Sequence, residues 1–353
     1  MKIKVLKFGG TSVGSIEAIK RSADIIHDWS KKSKVIAVLS AMSGETDRLI
    51  NLTKSFSKNP NPIDFDNAIS SGENVSCALM SICLNNQKIK AKSLLSWQIP
   101  IITSSEHMKS RILSINKKFL YDELKNFEVL LIPGFQGINN KGELTTLGRG
   151  GSDTSAVAVA AAMETECIIY TDVEGVFTTD PNIVPKAKKI NKISYEEMLE
   201  LASQGAKVLQ TRSVELAMRK NTKLSVRSSF KPKKIGTMIT DEKSVLENNT
   251  VSGITYSKDE AKITLSRVQD KPGVSSKIFG PLAKGNINVD MILQNISQDG
   301  KFANLSFTLP RLDLEKALKI LKKEKSIIGY KKIISSNNIS KISVVGVGMR
   351  SHA

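Results

Sequence analysis

A lysine and two adjacent glycines stand near the start of the chain, in Lys7-Phe8-Gly9-Gly10-Thr11-Ser12. Paired glycines let backbone N–H groups approach an anion closely, and a helix that follows adds partial positive charge at its N-terminus. Lys7 puts a mobile ammonium at the same mouth. A second cluster, Leu147-Gly148-Arg149-Gly150-Gly151-Ser152-Asp153-Thr154, also opens a helix. Arg149 offers a planar fork for a carboxylate or phosphate, and Ser152 and Thr154 can donate to oxygens. Asp153 can orient a lysine ammonium or hold magnesium. A third stretch, Tyr170-Thr171-Asp172-Val173-Glu174-Gly175-Val176-Phe177-Thr178-Thr179-Asp180-Pro181, is a polar loop at a strand's end, where open α/β sheets bind their ligands. Plainer readings exist: a strand-to-helix turn for the first, a helix cap at Ser152 or Asp153, a common turn at Asp180-Pro181. Glu73 reads from pattern alone as a solvated helix residue.

Glycine-rich helix entries without a histidine base suggest phosphoryl transfer to a group that is already ionised. A carboxylate near neutral pH needs no base to attack phosphorus. The protein then supplies alignment and positive charge around the moving group. Neither a Walker motif nor GxGxxG occurs, and the protein-kinase HRD and DFG signatures are missing.

The elements that must carry these clusters alternate. Lys2 to Phe8 and Lys34 to Ser40 read as short strands, and Ser15 to Lys31 between them has helical spacing. Phe65 to Leu84 reads as one helix and Val129 to Pro133 as a buried strand. Ser152 to Glu164 is an alanine-rich helix and Cys167 to Thr171 a strand. Helices near Ser194–Ala202 and Val208–Lys220 precede a short strand at Lys223–Arg227. Such alternation predicts an α/β sandwich with a mainly parallel sheet. Ser229 to Thr250 reads as a polar linker. Beyond it, Ile254-Thr-Tyr, Ala261–Ser266, Ile287–Ile296, Phe302–Leu309 and Ile327–Ile334 read as strands, with helices at Gly273–Ala283 and Leu314–Leu321. That is the βαββαβ order of a ferredoxin-like domain. Ile339 to Gly348 reads as one more strand.

Composition narrows the function. The 353 residues allow two cores, and no apolar run approaches the roughly 18 residues a membrane helix needs. The N-terminus lacks a signal peptide's apolar stretch, so a cytoplasmic protein is expected. The three cysteines form no CxxC pair and the three histidines are scattered, which disfavours a disulfide framework, a zinc site or a histidine-based hydrolase. The net charge is +18, but only 10 of the 52 basic residues are arginine and no basic tail occurs. A solvated lysine-rich surface, without nucleic-acid binding, is the expectation.

The motifs, taken in order, resemble the aspartokinases of the amino-acid kinase superfamily. The resemblance rests on Lys7-Phe-Gly-Gly-Thr-Ser-Val, Val38-Leu-Ser-Ala-Met-Ser-Gly-Glu-Thr-Asp, Ser71-Gly-Glu, Pro133-Gly-Phe-Gln-Gly, Leu147-Gly-Arg-Gly-Gly-Ser-Asp-Thr-Ser-Ala, Tyr170-Thr-Asp-Val-Glu-Gly-Val and Gly205-Ala-Lys-Val-Leu. The segment from Val251 is similar to the ACT domains that bind regulatory amino acids, with Asp270-Lys-Pro-Gly-Val-Ser at a strand–helix corner.

The resemblance implies phosphorylation of the side-chain carboxylate of L-aspartate by Mg-ATP, the first step toward lysine, threonine and methionine. It implies that Lys7 stabilises the transferring phosphoryl group and Asp153 organises the lysine. Phe8, Gly9, Gly10, Thr171, Asp172, Phe177, Asn182, Lys207 and Val208 would line the ATP site, with Mg2+ held mainly through the phosphates. Ser40, Thr46, Glu73, Arg149 and Ser152 would hold aspartate. Asp270, Gly273, Val274, Asn288, Asp290 and Gln294 would serve a lysine or threonine effector. Phe177 and Asn182 replace the family's usual tyrosine and arginine. The implied organisation is a catalytic domain over 1–228, a linker over 229–250, an ACT domain over 251–338, and over 339–353 the first strand of a second, incomplete ACT unit. A homodimer through the ACT domains is expected. A glutamate 5-kinase-like or uridylate-kinase-like enzyme and a non-catalytic amino-acid sensor are the alternatives.

Overall fold

The computed structural model describes residues 2–98, 101–206, 208–241, 251–297 and 301–346. They fall into two compact units, Met1–Ile254 with Val344–Ala353, and Thr255–Ser343.

The first unit begins β1 (Ile3–Phe8), α1 (Ile16–Ser30), β2 (Lys34–Leu39), α2 (Glu45–Phe56), α3 (Pro62–Ile69), α4 (Ser71–Asn86), β3 (Ala91–Ser93) and β4 (Ile101–Thr103). It continues through β5 (Ile112–Ile115), α5 (Lys117–Asn126), β6 (Val129–Pro133), β7 (Gln136–Ile138), β8 (Leu144–Thr146), α6 (Gly151–Ala162) and β9 (Cys167–Thr171). Then come β10 (Lys192–Ser194), α7 (Tyr195–Ser203), α8 (Thr211–Arg219), β11 (Leu224–Ser228) and β12 (Thr237–Thr240). Eight strands form one sheet in the order β10-β12-β11-β9-β1-β2-β6-β3. Its pairings are parallel except for β11 against β12. A smaller sheet runs β5-β4-β7-β8.

The pleat sorts β1 between two cores. Val5 packs with Ala156, Val157 and Ala160 of α6, whereas Leu6 and Phe8 pack with Ile26 of α1 and Met80 of α4. Side chains alternate along a strand, so Lys7 shares the face of Val5 and points to α6. Phe8 lies opposite Tyr170 in the parallel register and stacks on it, centroids 5.1 Å apart. Trp29 Nε1 donates to the Tyr170 hydroxyl at 2.9 Å. α6 is buried all round from Gly151 to Ala160, which explains its alanine and valine content.

Several expectations change. The single helix over 65–84 is two, α3 and α4, parted at Ser70, whose carbonyl accepts from Gln136 Nε2 at 3.0 Å. α2 has no counterpart in the sequence reading, because Leu49 is its only fully buried residue and leaves little periodic signal. The stretch 229–250 is not simply a linker: β12 inserts between β10 and β11 in the large sheet. Residues 242–250 lie outside the described ones.

The second unit holds most of β13 (Gly253–Gln269), then α9 (Val274–Lys284), β14 (Ile292–Ile296), β15 (Phe302–Pro310), α10 (Leu314–Lys323), α11 (Lys325–Ile328) and most of β16 (Lys332–Val345). The sheet order β14-β15-β13-β16 is that of the expected ferredoxin-like fold. The two short strands expected at 254 and 261 are one strand, bulged between Leu265 and Val268 with Arg267 at φ 53°. The strand expected from Ile287 starts only at Ile292, after Ile287 has turned into the core. The strand expected over 327–334 begins as α11, which Gly329 ends at φ 77° before β16. The separate strand at 339–348 is the continuation of β16 as far as Val345; from 347 onward it lies outside the described residues.

Phe8→Ala is expected to lower the unfolding free energy of the first unit by about 3–5 kcal/mol, because it empties a fully buried aromatic site. Urea titration measures this.

Candidate active site

The carboxyl ends of β1, β2 and β9 meet at the site, as expected for parallel sheets. Gly9 and Gly10 turn the chain out of β1 into a single 3-10 turn, Gly10–Ser12. A Cβ on Gly9 would lie 3.4 Å from Lys7 Nζ, and one on Gly10 would lie 3.0 Å from the Ala41 carbonyl. Side chains there would crowd the space beside the ammonium. The turn is pinned from below. Ser12 Oγ donates to Ser229 Oγ at 2.9 Å, and Ser229 N donates to the Thr171 carbonyl at 2.8 Å.

Lys7 Nζ lies 2.6 Å from Asp153 Oδ1, both side chains almost buried. The ammonium has three donors, so one can face Asp153 while the others face the space beside Gly9. Buried pairs seldom stabilise a fold after desolvation is counted, which favours a functional reason for this one. Asp153 stands in the first turn of α6, which Gly150 caps at φ 70°. A side chain at Gly150 would be strained and would also overlap Gln210. Ser152 packs against Gly134, where a Cβ would sit 2.7 Å from the serine Cβ.

Glu73 is buried, which corrects the pattern-based reading of it as solvated. It lies in the first turn of α4, and its Oε1 accepts from Ala41 N at 3.1 Å, next to Ser40 at the end of β2. Gly72 allows that approach, since its Cβ would stand 2.8 Å from Ala41 Cβ. Oε2 is buried and has no hydrogen-bond partner among the described residues. Burial pushes the carboxyl up to about 8, against the smaller pull of the Ala41 and Glu73 amides. An orphaned acid at that depth fits a cationic group arriving from outside. Thr46 is half-buried in the first turn of α2. Arg149 is exposed and has no protein partner among the described residues.

The Gly-Arg-Gly turn is held by residues the sequence reading passed over. Asp66 is fully buried and accepts from Thr146 Oγ1 at 2.6 Å, Thr146 N at 3.1 Å and Met108 N at 3.0 Å. His107 Nδ1 is 2.9 Å from the same carboxylate. Arg212 donates to the Leu147 and Ser110 carbonyls, both at 2.8 Å. An aspartate inside the apolar face of α3 was the available signal, because a buried charge demands several donors.

Thr171 ends β9, and its Oγ1 donates to Asp172 Oδ1 at 3.0 Å. The loop beyond is tied to β12, since Val176 N donates to Thr237 Oγ1 at 2.8 Å. Phe177 bridges to Lys189, Asn182 is exposed, and Val208 packs on the core. Phe8 is buried throughout, and its carbonyl accepts from Ser40 N at 3.1 Å. Lys207 lies outside the described residues. In the second unit Gln294 Nε2 donates to Asp270 Oδ1 at 3.0 Å, and Gly273 caps α9 at φ 88° beside Val274. Asn288 is exposed, while Asp290 is paired with Lys341.

A profile of the amino acid kinase family matches residues 2–228, and an ACT domain profile matches residues 263–326. An aspartate kinase of Pseudomonas putida is 48% identical over 100% of this chain and 86% of its own length. The chain belongs to the aspartokinases. A Helicobacter pylori aspartokinase is 47% identical over 99% of this chain and 87% of its own. The crystal structure of E. coli aspartokinase III in complex with aspartate and ADP superposes with a TM-score of 0.80 at 24% identity, covering 100% of this chain and 89% of that one. That likeness bears out the α/β sandwich with its ACT-type second unit. No helix among the described residues is long and apolar enough to cross a membrane.

Glu73 makes the unliganded protein sensitive to pH. Its folded-state value lies above its ordinary 4.5, so the folded chain binds the proton more tightly and stability falls as pH rises from about 4.5 toward about 8. The slope from this one group reaches about 1.4 kcal/mol per pH unit. Glu73→Gln is expected to remove it in urea titrations at pH 5.5 and 8; an unchanged slope would place the sensitivity elsewhere.

Proposed function

We propose that the chain transfers the terminal phosphoryl group of ATP to the side-chain carboxylate of L-aspartate, giving 4-phospho-L-aspartate and ADP. The observation that carries this reading is Lys7, held by Asp153 with its ammonium beside Gly9. The Gly10 amide would reach the phosphates, while the Gly9 amide stays with the Tyr170 carbonyl at 3.3 Å and Gly9 only leaves them room. Thr171, Asp172, Phe177, Asn182, Lys207 and Val208 would line the nucleoside side. Glu73 Oε2 would take the substrate's ammonium and Arg149 its α-carboxylate, with Ser40, Thr46 and Ser152 donating to the remaining oxygens.

In that pose the free carboxylate attacks the γ-phosphorus in line with the bridging oxygen. A carboxylate O–P bond forms as the bridging P–O bond breaks, and ADP leaves with the electron pair. Aspartate's side chain is ionised at neutral pH, so no base is required. Lys7 follows the charge that spreads over the moving oxygens. Magnesium, when bound with the nucleotide, neutralises phosphate charge; Asp153 already faces Lys7, which supports holding the metal chiefly through the phosphates.

The buried carboxylate favours this reading over a uridylate-directed kinase, the ACT-type unit favours it over a glutamate-directed one, and the Lys7–Asp153 pair favours it over a sensor without catalysis. Regulation by lysine or threonine at Asp270, Gly273, Val274, Asn288, Asp290 and Gln294 belongs to the same proposal. So does a cytoplasmic homodimer formed through the ACT-type sheets. β14 supports the dimer, since it is an edge strand that exposes Ile292, Leu293 and Ile296.

A hydroxamate assay with ATP and aspartate, glutamate or UMP tests the reaction, because hydroxylamine traps acyl phosphates. Signal with aspartate alone is expected, and signal with glutamate alone would overturn the assignment. Lys7→Ala is expected to cut kcat by about a hundredfold or more while changing the aspartate KM little. Arg149→Ala is expected to raise the aspartate KM by about tenfold or more. A selective ATP defect instead would reassign Arg149.

A further inference from the structure

A groove of about 630 Å3 opens along α6 on a side that uses neither Asp153 nor Ser152. Thr154 and the small residues of α6 form its floor, β5 one wall and α8 the other. Its polar lining is one-sided: Lys109, Arg111, Arg212, Arg219 and Lys220 face a single acid, Glu215. That acid is already taken, with Arg219 Nη2 2.5 Å from Glu215 Oε1. Lys109, Arg111 and Lys220 form no close ion pair among the described residues, although Glu106, which is outside the groove's lining and accepts from Ser104, feels the charge of Arg111 and Lys109. Arg212 is half-buried and spends both Nη groups on the Leu147 and Ser110 carbonyls. Burial first and then the neighbouring Arg111 hold its guanidinium below its ordinary value, against the opposing pull of Glu215.

Cations in excess around a concave, partly apolar space are what a small anion with an apolar body requires. We propose that this groove binds a small organic anion. Its phosphate or carboxylate lies against Arg111 and Lys220, and its apolar body lies along β5 and α6. Arg212 links the groove to the active site, because the Leu147 carbonyl it holds immediately precedes Gly148-Arg149-Gly150. Occupancy therefore bears on how firmly the Arg149 turn is held.

Calorimetry with phenylphosphonate tests the proposal on the full chain, with saturating ADP and aspartate filling the substrate positions. One further site is expected, weakened at least about tenfold in the Arg111→Ser, Lys220→Ser double variant. Inorganic phosphate should bind there more weakly than phenylphosphonate, and benzoate at a comparable strength if the anion's charge rather than its phosphorus is read. Leu113→Glu places a carboxylate in the groove from an exposed position and should give the same loss if the double variant folds poorly. No heat in the wild type, or equal affinity in wild type and variants, would overturn the site. Phenylphosphonate should also shift the aspartate KM in the wild type and leave it unmoved in the variants.

Discussion

The site depends on one charge pair held out of water. Lys7 and Asp153 come from elements far apart in sequence and meet at 2.6 Å because the pleat of β1 turns Lys7 toward α6. Everything around the pair serves that meeting. Alanines let α6 lie close over the sheet, Gly150 starts it sharply, and Gly134 makes room for Ser152. The pair is costly to bury, and on the proposed reading its worth lies in presenting an ammonium to charge that arrives from outside.

Much of this was legible in the sequence, for a physical reason. Short buried strands and helices with a clear apolar period announce themselves, so β1, β2, β6, β9 and α6 stood close to where they were expected. The glycine cluster at 148–151 marked the entry to α6, whereas Gly9 and Gly10 lead only into a 3-10 turn and α1 starts at Ile16 behind the Ser15 cap. What stayed hidden was carried by contacts between distant segments. Glu73 looked solvated because nothing local says that Gly72 lets α4 press against Ala41. β12 looked like part of a linker because its four residues gain their place only from β10 and β11 on either side. Asp66 carried no motif at all, yet it gathers Thr146, Met108 and His107 behind the Arg149 turn.

The second unit shows the converse. Its βαββαβ order was readable, but the strand ends were not, since β13 and β16 run on past the points where their apolar alternation weakens. Backbone pairing sustains a strand after its side chains have stopped signalling one. The pairing of Asp290 with Lys341 was likewise invisible, because it joins residues 51 positions apart.

The depth of Glu73 has a consequence for the protein's traffic with its buffer. If the substrate's ammonium docks on it as proposed, an acid that is neutral beforehand must shed its proton as the two meet, and must regain one when the product departs. Each turnover near neutrality would thus carry a transient release and uptake of H+ unrelated to the phosphoryl chemistry. The heat of docking would then vary with the ionisation enthalpy of whatever buffer receives that proton.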